Sequence, residues 1–193
     1  MATSDPIRNV ADLQRLADYY LNKGQLRNFV LVVLGSYTAL RISDLLRLKW
    51  RDVYDFERAR VRLRVYVTEG KTGKTKSIAI NANAAAALRR YFAQTPKKEG
   101  DFLFPNNRKT AAPICRVQAY RIIRAAAKAV RVEGHISCHS LRKTFGYHAW
   151  KSGASAVLLM DIYNHTSFEV TRRYLGICQD DRDKLYLRMR LVV

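Results

Sequence analysis

Arg60-Val61-Arg62-Leu63-Arg64-Val65-Tyr66-Val67-Thr68-Glu69-Gly70-Lys71-Thr72-Gly73-Lys74-Thr75-Lys76-Ser77-Ile78-Ala79-Ile80 is the stretch where apolar residues recur with a period of two. Val61, Leu63, Val65 and Val67 fall on one side of an extended chain, and Arg60, Arg62, Arg64 and Tyr66 on the other. That pattern predicts a half-buried strand over 60–67. Gly70 to Lys74 is turn chemistry, and 76–80 returns as a second strand. The result is a hairpin carrying Lys71, Lys74 and Lys76 near its tip.

Either side of the hairpin the apolar period lengthens to that of a helix. Toward the N-terminus, residues 1–8 read as a loose arm. Val10, Leu13, Leu16, Ala17, Tyr20 and Leu21 then mark an amphipathic helix ending by Gly24. A more apolar helix over 26–36 belongs in the core. Thr38-Ala39-Leu40-Arg41 breaks it, and Ser43 caps a third helix that turns Leu45, Leu46 and Leu48 inward and ends near Trp50.

Beyond the hairpin, Asn83 opens a helix to Phe92, followed by a basic surface loop (Lys97, Lys98) and Phe102-Leu103-Phe104-Pro105. The helix over 116–130 is expected to bury Val117, Tyr120, Ile123, Ala127 and Val130 and to expose Arg116, Arg121, Arg124 and Lys128. His139 and Ser140 open another helix running to Gly153, and 154–163 forms one more. Thr166 with Glu169 is a capping box, so a short helix starts there and carries Tyr174 about two turns on. Helices dominate, with one early sheet and no alternation of strand and helix. The fold class is α+β, in a single domain over 1–193.

The 193 residues hold 35 Lys+Arg against 16 Asp+Glu, a net charge of +19 with a pI near 10.3, which points to a polyanionic partner. Charge alone leaves DNA, RNA and an acidic membrane face open. Cys115, Cys138 and Cys178 are odd in number and lack metal-ligand spacing, so neither a disulfide framework nor a zinc site is indicated. No apolar run follows the first Met and none approaches the ~20 residues of a membrane span. A cytoplasmic protein without a membrane partner is expected.

Breaking a DNA phosphodiester with a protein hydroxyl sets definite requirements. A tyrosine, with a pKa of about 10, needs a base or a positive neighbourhood. The phosphate oxygens gain charge and favour planar guanidinium donors, the leaving oxygen needs an acid, and a histidine relays protons near neutrality. Arg41 after a helix end, Lys71 at the hairpin turn, His139 and Arg142 on one face of a helix start, and His165 and Tyr174 in the closing segment supply that set.

Those residues carry a resemblance. Leu40-Arg41-Ile42-Ser43-Asp44-Leu45-Leu46 resembles the first arginine box of the tyrosine recombinase (phage integrase) family, Lys71-Thr72-Gly73 its hairpin lysine, and His139-Ser140-Leu141-Arg142-Lys143-Thr144-Phe145 its His-x-x-Arg box. His165 and Tyr174 resemble the closing pair, and the likeness covers essentially the whole catalytic domain. It implies a mostly helical recombinase fold and site-specific breaking and rejoining of double-stranded DNA. Tyr174 would be the nucleophile, forming a 3′-phosphotyrosyl bond. Arg41 and Arg142 would clamp the phosphate, Lys71 (with Lys74 and Lys76 as rivals) would be the general acid, His139 the base or relay, and His165 a phosphate ligand. No cofactor, metal or ATP is implied.

The chain departs from the family in three places. Tyr163-Asn164 stands where Leu-Gly is usual, Leu175-Gly176 follows the nucleophile, and the family's N-terminal arm domain is absent, as in a short member or an excised fragment. Asn at 164 still suits a turn that needs positive φ. His135 and His148 lack matching context and read as structural. The tail 183–193 alternates apolar and basic residues, as an extended arm would, and by resemblance docks on a neighbouring protomer of a homo-tetramer. A type IB topoisomerase and a non-catalytic DNA-binding regulator are the competing functions.

Overall fold

A computed structural model describes residues 4–94, 97–106, 109–177, 183 and 186–189. Helices α1 (Val10–Leu21) and α2 (Leu26–Tyr37) follow the apolar period, and α2 is buried on nearly all sides, with Val30, Leu31 and Val32 fully enclosed. Two short helices come next, α3 (Ile42–Leu46) and α4 (Trp50–Val53). The cap position of α3 is Arg41, not Ser43, because the Arg41 carbonyl already accepts from Asp44 and Leu45; Ser43 lies inside the helix. Trp50 begins α4 rather than ending α3.

The expected strand over 60–67 is split. Strand β1 (Tyr54–Asp55) pairs with β2 (Arg60–Val61), and β3 (Arg64–Thr68) pairs with β4 (Thr75–Ala79), Thr68 facing Thr75. The chain changes partner at Arg62 and Leu63, whose backbones bond Val53 and Ile80 respectively, and this turns Leu63 outward at 77% exposure. Val65 and Val67 remain inside. Gly73, at φ +67°, closes the turn by donating to the Glu69 carbonyl at 2.9 Å.

Helix α5 (Ala82–Gln94) opens at Asn81, whose side chain accepts from the Ala84 amide; Asn83 instead bonds the Tyr37 hydroxyl. Leu103 and Phe104 are fully buried ahead of a pair not foreseen from the sequence, β5 (Pro105–Asn106) with β6 (Lys109–Pro113). In α6 (Arg116–Ala129) the buried face is Ala119, Ile122, Ile123, Ala126 and Ala127. Val117 and Tyr120 stay exposed, on the side of the helix that faces the start of α7 (Cys138–Lys151).

Residues 4–8 are not a loose arm. Ile7 is buried and its amide donates to the Thr144 hydroxyl, Lys143 Nζ donates to the Ser4 carbonyl, and Arg8 reaches the Gly176 carbonyl at 3.0 Å. Helix α8 (Ala156–Tyr163) is capped by Ser155, and α9 (Phe168–Leu175) by Ser167, one residue later than the Thr166 box required. Glu169 is thereby freed from a capping role and pairs with Arg173 at 3.1 Å. Residues 183 and 186–188 of the expected tail are helical rather than extended, and 189 lies beyond the helix; 184, 185 and 190–193 lie outside the described residues.

Two apolar clusters result. The large one is built on α1, α2, α5 and α6, while a small one gathers Ala39, Leu159, Tyr163 and Leu175. Helix α9, which carries Tyr174, therefore packs on the smaller cluster. No helix of the described residues is long and apolar enough to cross a membrane.

Candidate active site

Three chain breaks bring the site together. The first is the turn between α2 and α3, where Ala39 takes φ +54° and its carbonyl accepts from Arg142 Nη1. Arg41 follows two residues later, so both guanidiniums are placed by one turn. The second is the start of α7, capped by the Ser137 hydroxyl, which orients His139 and Arg142 on one face. Arg142 is only 4% exposed and stacks over the Tyr163 ring at 4.8 Å, while the Tyr163 hydroxyl donates to the Arg142 carbonyl at 2.7 Å.

The third break is the α8–α9 turn. Asn164 ends α8 in the left-handed region, φ +53° and ψ +48°, as its place before His165 requires. The His165 amide bonds back to Met160, and its Nδ1 lies 3.0 Å from the Thr171 hydroxyl. The Thr171 hydroxyl donates to the Ser167 carbonyl at 3.3 Å, which leaves its oxygen to accept from Nδ1.

Tyr174 is enclosed by aromatic rings. His139 meets it edge-on at 5.0 Å and 88°, His165 at 5.1 Å and 77°, and Tyr163 tilts against it at 5.1 Å. Its hydroxyl is buried without a hydrogen-bond partner among the described residues. Burial raises the phenol's pKa, and the charges of Arg142 and Arg41 pull the other way. His139 is pushed down to about 4, first by burial and then by Lys143, Arg142 and Arg41; its solvent-facing edge screens part of that push. His165 is lowered for the same reasons, burial first and then Arg142, Arg41 and Lys76. Both imidazoles are thus neutral near pH 7.

Lys71 is not brought into this group. It lies exposed on the hairpin turn, while Lys76 enters the site, donating to the Ile162 carbonyl and sitting 3.5 Å from Glu69 Oε1. Burial lowers the Lys76 amine, Glu69 opposes this, and Arg142 and Arg41 add to the lowering. Lys74 stays exposed on the turn. His148 bonds the Ile7 carbonyl and His135 packs at Asp5, consistent with structural roles.

Two carboxylates in the site were not singled out from the sequence. Asp44 Oδ1 accepts from the Gly70 amide and pairs with Arg47, seating the hairpin on α3. Glu69 is fully buried, with Oε2 2.8 Å from Arg41 Nη1. Burial pushes Glu69 up, but Arg41, Thr72 and Lys76 outweigh it and hold the carboxyl below its ordinary range. The available signal was an acid within an otherwise cationic hairpin.

The chain is similar to known proteins in sequence and in fold. A sequence model of the phage integrase family matches residues 9–179. "Probable integrase/recombinase YoeC" of Bacillus subtilis (strain 168) is 39% identical over 181 residues, which is 94% of each chain. "Tyrosine recombinase XerD" of Listeria innocua serovar 6a is 25% identical over 158 residues, covering 79% of this chain and 50% of XerD, so the chain spans about half the length of that relative. Among solved structures, XerA recombinase superposes with a TM-score of 0.76 at 22% identity, covering 97% of this chain and 67% of XerA. XerH bound to its palindromic difH substrate after cleavage gives 0.73 at 18%, covering 96% and 53%. At these identities the structural likeness is one of fold. The sequence match, over most of the chain's length, carries the assignment: the chain belongs to the phage integrase family of tyrosine recombinases.

Proposed function

We propose that this chain cleaves and rejoins double-stranded DNA at specific sites through Tyr174. The observation that carries the reading is the Tyr174 ring set between two neutral imidazoles, its hydroxyl unpartnered and within the field of two guanidiniums. The phenolic oxygen bonds to phosphorus and its proton passes to His139. The bond from phosphorus to the 5′ oxygen breaks, leaving a 3′-phosphotyrosyl end, and Lys71 protonates the departing oxygen. Arg41 and Arg142 take up the charge that grows on the non-bridging oxygens, and His165 serves as a further phosphate ligand.

Rejoining is the same path reversed, with another strand's 5′-hydroxyl attacking. Because the phosphotyrosyl bond conserves the energy of the broken linkage, the cycle needs neither ATP nor a metal. Lys71 reaches the scissile bond by movement of the hairpin tip onto the DNA, about a base that Asp44, Arg41 and Asn164 hold through Gly70 and Glu69. The duplex passes over the groove lined by Ile42, Arg116, Val117, Tyr120, His139 and Arg142. DNA as partner is carried over from relatives such as XerH, solved on its own substrate. The proposed assembly is a homo-tetramer on paired sites, coupled by exchange of the tail, acting in the cytoplasm.

Plasmids carrying one copy, two copies or no copy of a candidate site taken from the DNA beside the gene test the reading. The expected outcome, in EDTA, is rearrangement only of the two-copy plasmid. Relaxation of the plasmid lacking sites would favour a topoisomerase, and binding without any strand breakage a regulator. Binding should weaken steeply with salt as phosphate counterions are released.

A further inference from the structure

Glu69 connects three parts of the site that are distant in sequence. Its backbone is pinned in the hairpin by bonds to Lys74 and Gly73, and its Oε2 accepts from Asn164 Nδ2 at 2.6 Å and from the Thr72 hydroxyl at 2.8 Å. The same oxygen contacts Arg41 Nη1 at 2.8 Å. A carboxylate with no exposed surface persists only where its partners offset the loss of hydration, and here every partner belongs to the site or to the hairpin. Asn164 therefore has two functions. Its backbone makes the left-handed turn, which glycine would also make, and its amide ties that turn to Glu69, which glycine would not.

We infer that Glu69 is a positioning residue for strand cleavage, fixing the His165 turn against Arg41 through the Asn164 amide. This rests on the recombinase reading above. His165 and Arg41 are both proposed to bond the phosphate, yet they come from turns far apart in the chain. A displacement of one group by about 1 Å is enough to slow a positioned reaction ~10²-fold. The charge on Glu69 is secondary to the tie. A glutamine at 69 keeps an acceptor for Asn164 and Thr72 while removing the charge, whereas an alanine removes both.

The test compares the parent with Glu69→Gln, Glu69→Ala, Asn164→Gly and the Ala/Gly double variant. Single-turnover formation of the covalent adduct on saturating nicked DNA is measured, together with DNA affinity and the His165 imidazole resonances without DNA. Glu69→Ala and Asn164→Gly should each slow adduct formation roughly tenfold or more with affinity little changed, and the double variant should be no slower than the worse single. Glu69→Gln should restore the rate to within about threefold of the parent. The His165 resonances should move alike in Glu69→Ala and Asn164→Gly and stay in place in Glu69→Gln. Additive losses, a Glu69→Gln variant as slow as the alanine, or an Asn164→Gly variant with parental rate and resonances would overturn the inference. If Glu69→Ala does not fold, the glutamine and glycine variants still decide it. A parent that forms no adduct would refute the recombinase reading instead, and the His165 resonances would still decide the tie.

Discussion

The Tyr174 ring stands edge-on to the His139 imidazole, centroids 5.0 Å apart, while the Tyr174 hydroxyl has no hydrogen-bond partner among the described residues. Tyr174, the proposed nucleophile, is thus packed in place beside the Arg142 guanidinium, in no hydrogen bond of good geometry. Burial keeps its proton on, so attack depends on an acceptor that is itself unprotonated, and His139, held low, is such an acceptor near neutral pH.

That depression predicts the sign of a pH effect on stability. An unfolded histidine titrates near 6.5, while folded His139 titrates at about 4, so the unfolded chain binds the extra proton first. Stability from this group is complete above about pH 6.5 and is lost as pH falls through the folded value. His165, also lowered, acts in the same direction. Urea midpoints of the parent should fall on acidification across this window, and His139→Asn should flatten the fall. A midpoint that rises toward acid would contradict the depressed value.

If Lys71 is the general acid, its removal should matter only while the leaving oxygen needs a proton. Lys71→Ala should slow cleavage of ordinary DNA by roughly 10²-fold or more and approach the parental rate when sulfur replaces the leaving oxygen. Lys76→Ala, which disturbs the contacts to Glu69 and Ile162, should not be rescued by sulfur. Rescue of Lys76→Ala alone would move the role to Lys76.

Arg142→Gln should lower the cleavage rate by about 10²–10³-fold, the scale of losing one oxyanion donor. Because Arg142 Nη1 also holds the Ala39 carbonyl, a destabilisation of about 1–3 kcal/mol should accompany it. A rate within a few-fold of the parent in the folded variant would count against the clamp.

Gly146 is where α7 lets α9 and Tyr163 approach. A Cβ there would sit 2.5 Å from the Tyr163 hydroxyl oxygen and would collide with Leu175. Gly146→Ala should destabilise the protein by about 1–3 kcal/mol and slow adduct formation by displacing the nucleophile helix. A variant with unchanged melting and unchanged rate would show that α9 tolerates the shift.

Much of this arrangement was legible in the residues. Helices with a clean 3.6 period, such as α1 and α2, emerge as read, the hairpin forms but with its first strand split at Arg62 and Leu63, and Asn164 takes the positive φ that Asn suits. Arg41, His139, Arg142, His165 and Tyr174 gather; Lys71 stays outside, at an exposed turn. The differences arise where local rules leave equal choices. Thr166 and Ser167 are both competent caps, and burial of Thr171 and Leu175 decides between them. The apolar character of Val117 and Tyr120 suggested core, yet they line the groove beside His139, where chemistry rather than packing uses them. Glu69 was hidden because its significance lies wholly in contacts from 28 residues upstream and 95 downstream.

The central claim is that Tyr174 is the attacking group. Nicked duplex carrying a candidate site from the DNA beside the gene, incubated in EDTA with parent or Tyr174→Phe protein and run on a denaturing gel, tests it directly. The account predicts a protein–DNA adduct with the parent and none with Tyr174→Phe, while both bind the duplex equally. An adduct of equal yield from Tyr174→Phe would contradict it.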